Sequence, residues 1–86
     1  MTIKVGAHKI GPHPEVLAVH VWFDEDSLFV RLADGRTVLV PLEWFPRLRS
    51  ASVEQRANWR LIARGVGIRW PDVDEDIAVT TLLREW

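Results

Sequence analysis

Residues 16–23 are almost all apolar or aromatic and rich in β-formers, and the runs 27–33 and 36–42 continue the pattern with apolar residues at every second position, the three separated by Asp24-Glu25-Asp26 and by Asp34-Gly35. A two-residue period is that of an extended strand, whose successive side chains face opposite sides of a sheet. Residues 16–23, 27–33 and 36–42 are therefore predicted as three strands. The acidic triplet reads as a solvated turn, and Asp34-Gly35 is the strongest short hairpin signal in the chain. Together they make an antiparallel meander. Alternation places Val19, Val21, Leu28, Val30, Leu32, Val38 and Val40 on one side, which is expected to be core. His20, Trp22, Phe29, Arg31, Thr37 and Leu39 fall on the other. That mixed face is either covered by the C-terminal half or offered to a partner.

After Pro41 the period changes. Residues 42–48 bunch their apolar side chains at helical spacing, and Pro46 suits a first turn, where its missing N–H goes unused. Ser52-Val53-Glu54-Gln55 fits a capping box, which predicts a short helix over residues 53–58. Residues 59–64 and 68–70 flank Gly65-Val66-Gly67 and read as a second hairpin, with Leu61 opposite Trp70 and Ala63 opposite Ile68. Pro71 ends it. Asp74, Glu75 and Asp76 suit the positive end of a helix running to Arg84, with Val79, Leu82, Leu83 and Trp86 as its buried stripe. The expected fold is α+β: a three-stranded antiparallel meander, two short helices, a second small β-hairpin and a C-terminal helix.

Composition narrows this little. The 86 residues hold one domain, 1–86, whose lead-in 1–15 is broken by Gly6, Gly11, Pro12 and Pro14 and is expected to be irregular. Apolar residues at 48% and charged residues at 27% are ordinary globular usage. The absence of cysteine removes disulfides, thiolate nucleophiles and zinc-thiolate sites, and suits a reducing cytoplasm. With neither a secretory leader nor a run of roughly 20 apolar residues, the expected location is cytoplasmic and off the membrane.

The order of these features resembles a known family, the small bacterial domain of unknown function numbered 2442. The resemblance rests on Asp34-Gly35, the stretch from Pro41-Leu42-Glu43-Trp44 to Phe45-Pro46-Arg47-Leu48, Asn58-Trp59-Arg60-Leu61-Ile62, and Gly65-Val66-Gly67-Ile68-Arg69-Trp70-Pro71 followed by Asp74-Glu75-Asp76-Ile77. It covers residues 16–84. It implies an α+β fold and no defined activity. It also implies a stand-alone protein encoded beside another small protein in a toxin-antitoxin-like arrangement, or a domain preceding a DNA-binding helix-turn-helix, a second domain that is not expected within these 86 residues.

Few residues offer chemistry. Asp72-x-Asp74-x-Asp76 has the alternate-carboxylate spacing of a calcium loop, but Ile77 stands where that loop needs glycine and Leu83 where it closes on glutamate. A helix start explains the acids better. His8, His13 and His20 are too dispersed for a metal signature. Ser27, Ser50 and Ser52 lack a nucleophile-elbow context, and Gly65-x-Gly67 lacks the third glycine of a phosphate loop. Neither enzyme activity nor a cofactor or metal is expected.

Charge and aromatic content point elsewhere. Between residues 47 and 69 stand Arg47, Arg49, Arg56, Arg60, Arg64 and Arg69 against Glu54 alone, although the whole chain carries a net charge of −1. Arg60, Arg64 and Arg69 on one hairpin face invite a nucleic-acid reading. The alternative is that the arginines pair with the acidic clusters. Of five tryptophans, Trp44, Trp59 and Trp70 are expected in the core, and Trp22 and Trp86 at the surface. Exposed tryptophan beside arginine is interface composition. The leading expectation is a non-enzymatic protein-binding module, the antitoxin-like member of a two-protein system, with Trp22, Phe29, Arg60, Arg64, Arg69 and Trp86 as contact residues. The alternative is a nucleic-acid-binding accessory domain.

Overall fold

Aspartates build the turns of the first sheet. The computed structural model describes residues 16–83 and begins with β1 (Ala18–Phe23), β2 (Ser27–Leu32) and β3 (Thr37–Pro41), paired antiparallel in the order β1-β2-β3. Between β1 and β2, Asp24 Oδ1 accepts from the N–H groups of Asp26 at 2.9 Å and Ser27 at 2.8 Å. Between β2 and β3, Asp34 accepts from the Arg36 N–H at 3.0 Å and from Arg36 Nε at 2.8 Å. These donors, the backbone N–H foremost, hold the Asp34 carboxyl below the usual carboxylate range. Gly35, with φ +96°, supplies the left-handed residue that closes the loop, and the Leu32 N–H donates to the Arg36 carbonyl at 2.8 Å.

Alternation assigns most of the core face as expected: Val21, Leu28, Val30, Leu32, Val38 and Val40 are buried. Val19 is the correction. Ala18 pairs with Leu32 while His20 pairs with Arg31, so Val19 is the extra residue of a bulge. It is 49% exposed, and Ala18 takes the core position.

A 3₁₀ turn (Leu42–Trp44) leads into α1 (Pro46–Arg49), with Pro46 in its first turn as the sequence predicts. Of the apolar residues here Leu42 and Leu48 are buried, whereas Trp44 is 44% exposed rather than a core anchor. The predicted capping box opens α2 (Val53–Ala57). Ser52 Oγ accepts from the Gln55 N–H at 3.1 Å, and the Ser52 N–H donates to Gln55 Oε1 at 2.9 Å. Ser52→Ala is expected to lower stability by about 1 kcal/mol, read as a shift of the urea midpoint. An unmoved midpoint would show that packing alone holds α2.

The second half differs most from expectation. β4 (Arg60–Ile62), β5 (Gly67–Trp70) and β6 (Glu75–Ala78) form a second antiparallel sheet in the order β4-β5-β6. Leu61 pairs with Ile68 and Ile62 with Gly67, two residues off the predicted register. A four-residue connection, with positive φ at Ala63, Arg64 and Gly65, replaces the tighter turn. Asp74, Glu75 and Asp76 do not start a helix. After a 3₁₀ turn (Pro71–Val73), Asp74 adopts a left-handed conformation (φ 54°, ψ 47°) and sends the chain back as β6. Arg47 Nη1 secures this reversal by donating to the Asp74 carbonyl at 2.6 Å. Among the described residues the terminal helix is α3 (Val79–Leu83), which starts after β6, packs against β3 and buries Val79 and Leu82. Arg84, Trp86 and the lead-in 1–15 with His8 and His13 lie outside the described residues.

The two sheets share one core. Trp70 lies at its centre, fully buried, its ring edge-on to Phe23 at 6.1 Å and its Nε1–H donating to the Arg56 carbonyl at 3.1 Å. Ile68, Ile77, Leu48, Val79 and Leu82 pack in the same cluster. The sheets also touch through backbone, Gly65 resting on Ala18. Among the described residues no helix is long and apolar enough to cross a membrane.

Candidate functional site

The outer face of the first sheet carries a row of rings. Trp22 and Phe29 are cross-strand partners on β1 and β2, and their rings stack 5.2 Å apart at 4°. On one flank His20 stacks on Trp22 at 5.7 Å. On another the Arg31 guanidinium lies 5.7 Å from the Trp22 centroid, steadied by a 2.9 Å bond from Nε to Thr37 Oγ1. Trp59 approaches from the second half of the chain, edge-on to His20 at 5.5 Å. The Trp22 and Phe29 side chains are half-buried, while His20, Arg31 and Leu39 are exposed. The mixed face is thus touched by Trp59 at His20 and otherwise presented to solvent.

Beside this row the chain leaves a cleft of about 470 Å³, walled by Trp22 and Phe23 from β1 and by Val53, Arg56 and Trp59 from the α2 region. Arg56 is fixed as part of the wall. Its Nε and Nη2 donate to the carbonyls of Leu48 at 2.9 Å and Arg49 at 2.8 Å, and its guanidinium lies 5.6 Å from the Phe23 ring centroid. Val53, on the rim, is 77% exposed.

The arginines divide into two groups. Arg69 faces Arg60 on β4 and Asp76 on β6, and it is clamped by Asp76 at 2.7 Å and Asp74 at 3.0 Å. The hydrogen bonds it donates to Asp76 and then to Asp74 raise its pKa above the ordinary arginine value. Arg47 and Arg56 are spent on backbone carbonyls. Arg60 and Arg64 are exposed, Arg64 in the β4–β5 connection, and neither has a side-chain partner among the described residues. The structure therefore separates the predicted contact residues: Trp22 and Phe29 lie together on the first sheet, Arg60 and Arg69 share a face of the second, and Trp86 lies outside the described residues.

The carboxylates of Asp72, Asp74 and Asp76 do not converge. Asp72 accepts from Asn58 Nδ2 at 3.1 Å, whereas the other two hold Arg69. Among the described residues no cluster of three side chains could ligate a metal. Sequence reading missed His20, Arg31, Arg56 and Trp59 as members of the site. Alternation already put His20 and Arg31 on the face of Trp22 and Phe29, but the approach of Arg56 and Trp59 is a long-range contact without a local signal.

The profile of a family described as "Protein of unknown function (DUF2442)" matches residues 18–86. Among solved structures, the crystal structure of a protein of unknown function from Rhodospirillum rubrum ATCC 11170 is similar, with a TM-score of 0.72 and 24% identity over 84% of this chain and 89% of that one. At that identity the likeness concerns the fold. No curated protein matches the chain.

Proposed function

The chain belongs to the DUF2442 family, whose description assigns no activity, and we propose that it is a non-enzymatic, cytoplasmic protein-binding module that meets its partner through the Trp22–Phe29 face. One observation carries this reading: a row of partly exposed rings, flanked by Arg31 and continued by a cleft. Aromatic and arginine side chains that are half-desolvated before binding lose little freedom on docking, which is why they dominate the energetics of interfaces. The family resemblance supports a further step, that the partner is a small protein encoded beside this one and that the pair works as a toxin-antitoxin-like module.

A nucleic-acid reading draws on Arg60 and Arg64, which are exposed and have no side-chain partner among the described residues. Against it, Arg69 is already neutralised by two carboxylates, Asp76 on β6 and Asp74 in the turn before it, so the basic row is short. The two readings separate in one experiment. Trp22→Ala is expected to weaken capture of the neighbour-encoded protein by tenfold or more, the usual scale of an aromatic hot spot, while the circular dichroism spectrum is retained. Arg60→Ala with Arg64→Ala should leave capture unchanged. Undiminished capture by the Trp22 variant, or tight salt-sensitive binding of generic duplex that the arginine variant abolishes, would reverse the assignment.

A further inference from the structure

We propose that the partner presents a basic segment, with one apolar side chain in the cleft between Trp22 and Trp59 and a neighbouring lysine or arginine on the carboxylates of Glu25, Asp26 and Glu43. This rests on the protein-binding reading above and names the chemistry of its partner. The aromatic cleft does not end at its rim. Glu25 also lines a second hollow of about 260 Å³, formed with Asp26, Glu43 and Arg49, so the apolar and acidic compartments adjoin at Glu25. Glu25, Asp26 and Glu43 are exposed, and their carboxylates have no hydrogen-bond or ion-pair partner among the described residues. Arg49 lines the same hollow without pairing to them. Arg56 is the cation of the aromatic cleft, and its Nε and Nη2 already donate to carbonyls. An anionic segment would bring its charge against these carboxylates, whereas a cationic one finds acceptors that none of the described side chains has taken.

A second copy of this chain is the less suitable occupant. Its exposed Arg60-Leu61-Ile62 would offer both an apolar and a basic group. But a contact between β4 of one copy and the cleft of the next closes only where a two-fold axis makes it reciprocal or its rotation forms a ring, and it leaves the carboxylates of Glu25, Asp26 and Glu43 to a single arginine, Arg60. A different chain avoids that.

The test uses the full chain, labelled with ¹⁵N, and three short capped peptides containing Leu-Ala-Lys-Lys, Leu-Ala-Glu-Glu or Ala-Ala-Lys-Lys. The indole N–H signals of Trp22 and Trp59 should move saturably with the first peptide, at a concentration about fivefold lower than with either of the others, the scale of two exposed ion pairs or one small apolar anchor. Glu25→Lys with Glu43→Lys, both at exposed positions, should remove the preference for lysine while the spectrum stays folded. Equal or tighter binding of the acidic peptide, shifts confined to β4, absence of saturable shifts, or peptide-free shifts that grow with protein concentration would each overturn the proposal. Capture of the neighbour-encoded protein distinguishes the two levels. Loss with Trp22→Ala but not with the double glutamate variant would leave the protein-binding reading standing and sink the basic segment. Capture insensitive to Trp22 would sink both.

Discussion

Trp70→Ala is expected to leave the protein unfolded or barely folded at room temperature, through a loss of about 3–5 kcal/mol. The indole is fully buried at the junction of the two sheets, so its removal opens a cavity that surrounding strands cannot fill without breaking their ladders. It also strands a hydrogen-bond acceptor, because the Arg56 carbonyl loses the Nε1–H that lies 3.1 Å away. A chain of this size has roughly 5–10 kcal/mol of stability in total, so the loss consumes about half of it or, at the lower end, all of it. Trp44→Ala is the matched control. That ring is 44% exposed, and its removal should cost less than about 1.5 kcal/mol. Urea titration of both variants measures the difference; comparable midpoints would show that Trp70 does not anchor the core.

Trp70 was legible in the sequence because several local signals agree on it. It ends a β-rich run, precedes a proline and follows glycines that allow close approach. The meander was legible for the same reason: alternation, Asp34-Gly35 and the acidic turn all specify the same pairing. The capping box was legible because its two hydrogen bonds join residues three apart.

What was not legible was set by contacts far along the chain. The acids at positions 74–76 fit a helix start on local grounds. They become a turn and a strand because Arg47 and Arg69 bind them and because β5 offers a free edge for Glu75–Ala78. Four residues are too few for a two-residue period to declare itself, although Ile77 buried between exposed Asp76 and Ala78 follows it. The bulge at Val19 was equally hidden. In the site, Trp22 and Phe29 were found through strand alternation, whereas Arg56 and Trp59 arrive from the α2 region and complete the cleft only in three dimensions.

Gly65→Ala is expected to be nearly as damaging as loss of the central tryptophan, for a different reason. Gly65 has φ +106°, a conformation that a side chain strains by about 1–2 kcal/mol. A Cβ there would also overlap the Ala18 carbonyl oxygen and lie 3.0 Å from the Ala18 nitrogen and 3.3 Å from Leu17 Cβ. Two of these three are backbone atoms of the strand that opens the first sheet, so the overlap is relieved only by moving β1 away from the second. That overpacking adds about 1–3 kcal/mol, for a combined loss of about 3 kcal/mol. Gly35→Ala isolates the first contribution. It too has positive φ, +96°, but a Cβ there would meet nothing within 4 Å, so its loss should stay near 1–2 kcal/mol, about the conformational cost alone. Because β1 also carries His20 and Trp22, displacement at Ala18 should spread to the ring row. The Gly65 variant is therefore expected to perturb the Trp22 and Trp59 indole signals even where it remains folded, and the Gly35 variant to leave them in place. Equal destabilisation of the two variants, with undisturbed indole signals in both, would show that the sheets are not joined at Gly65 and Ala18.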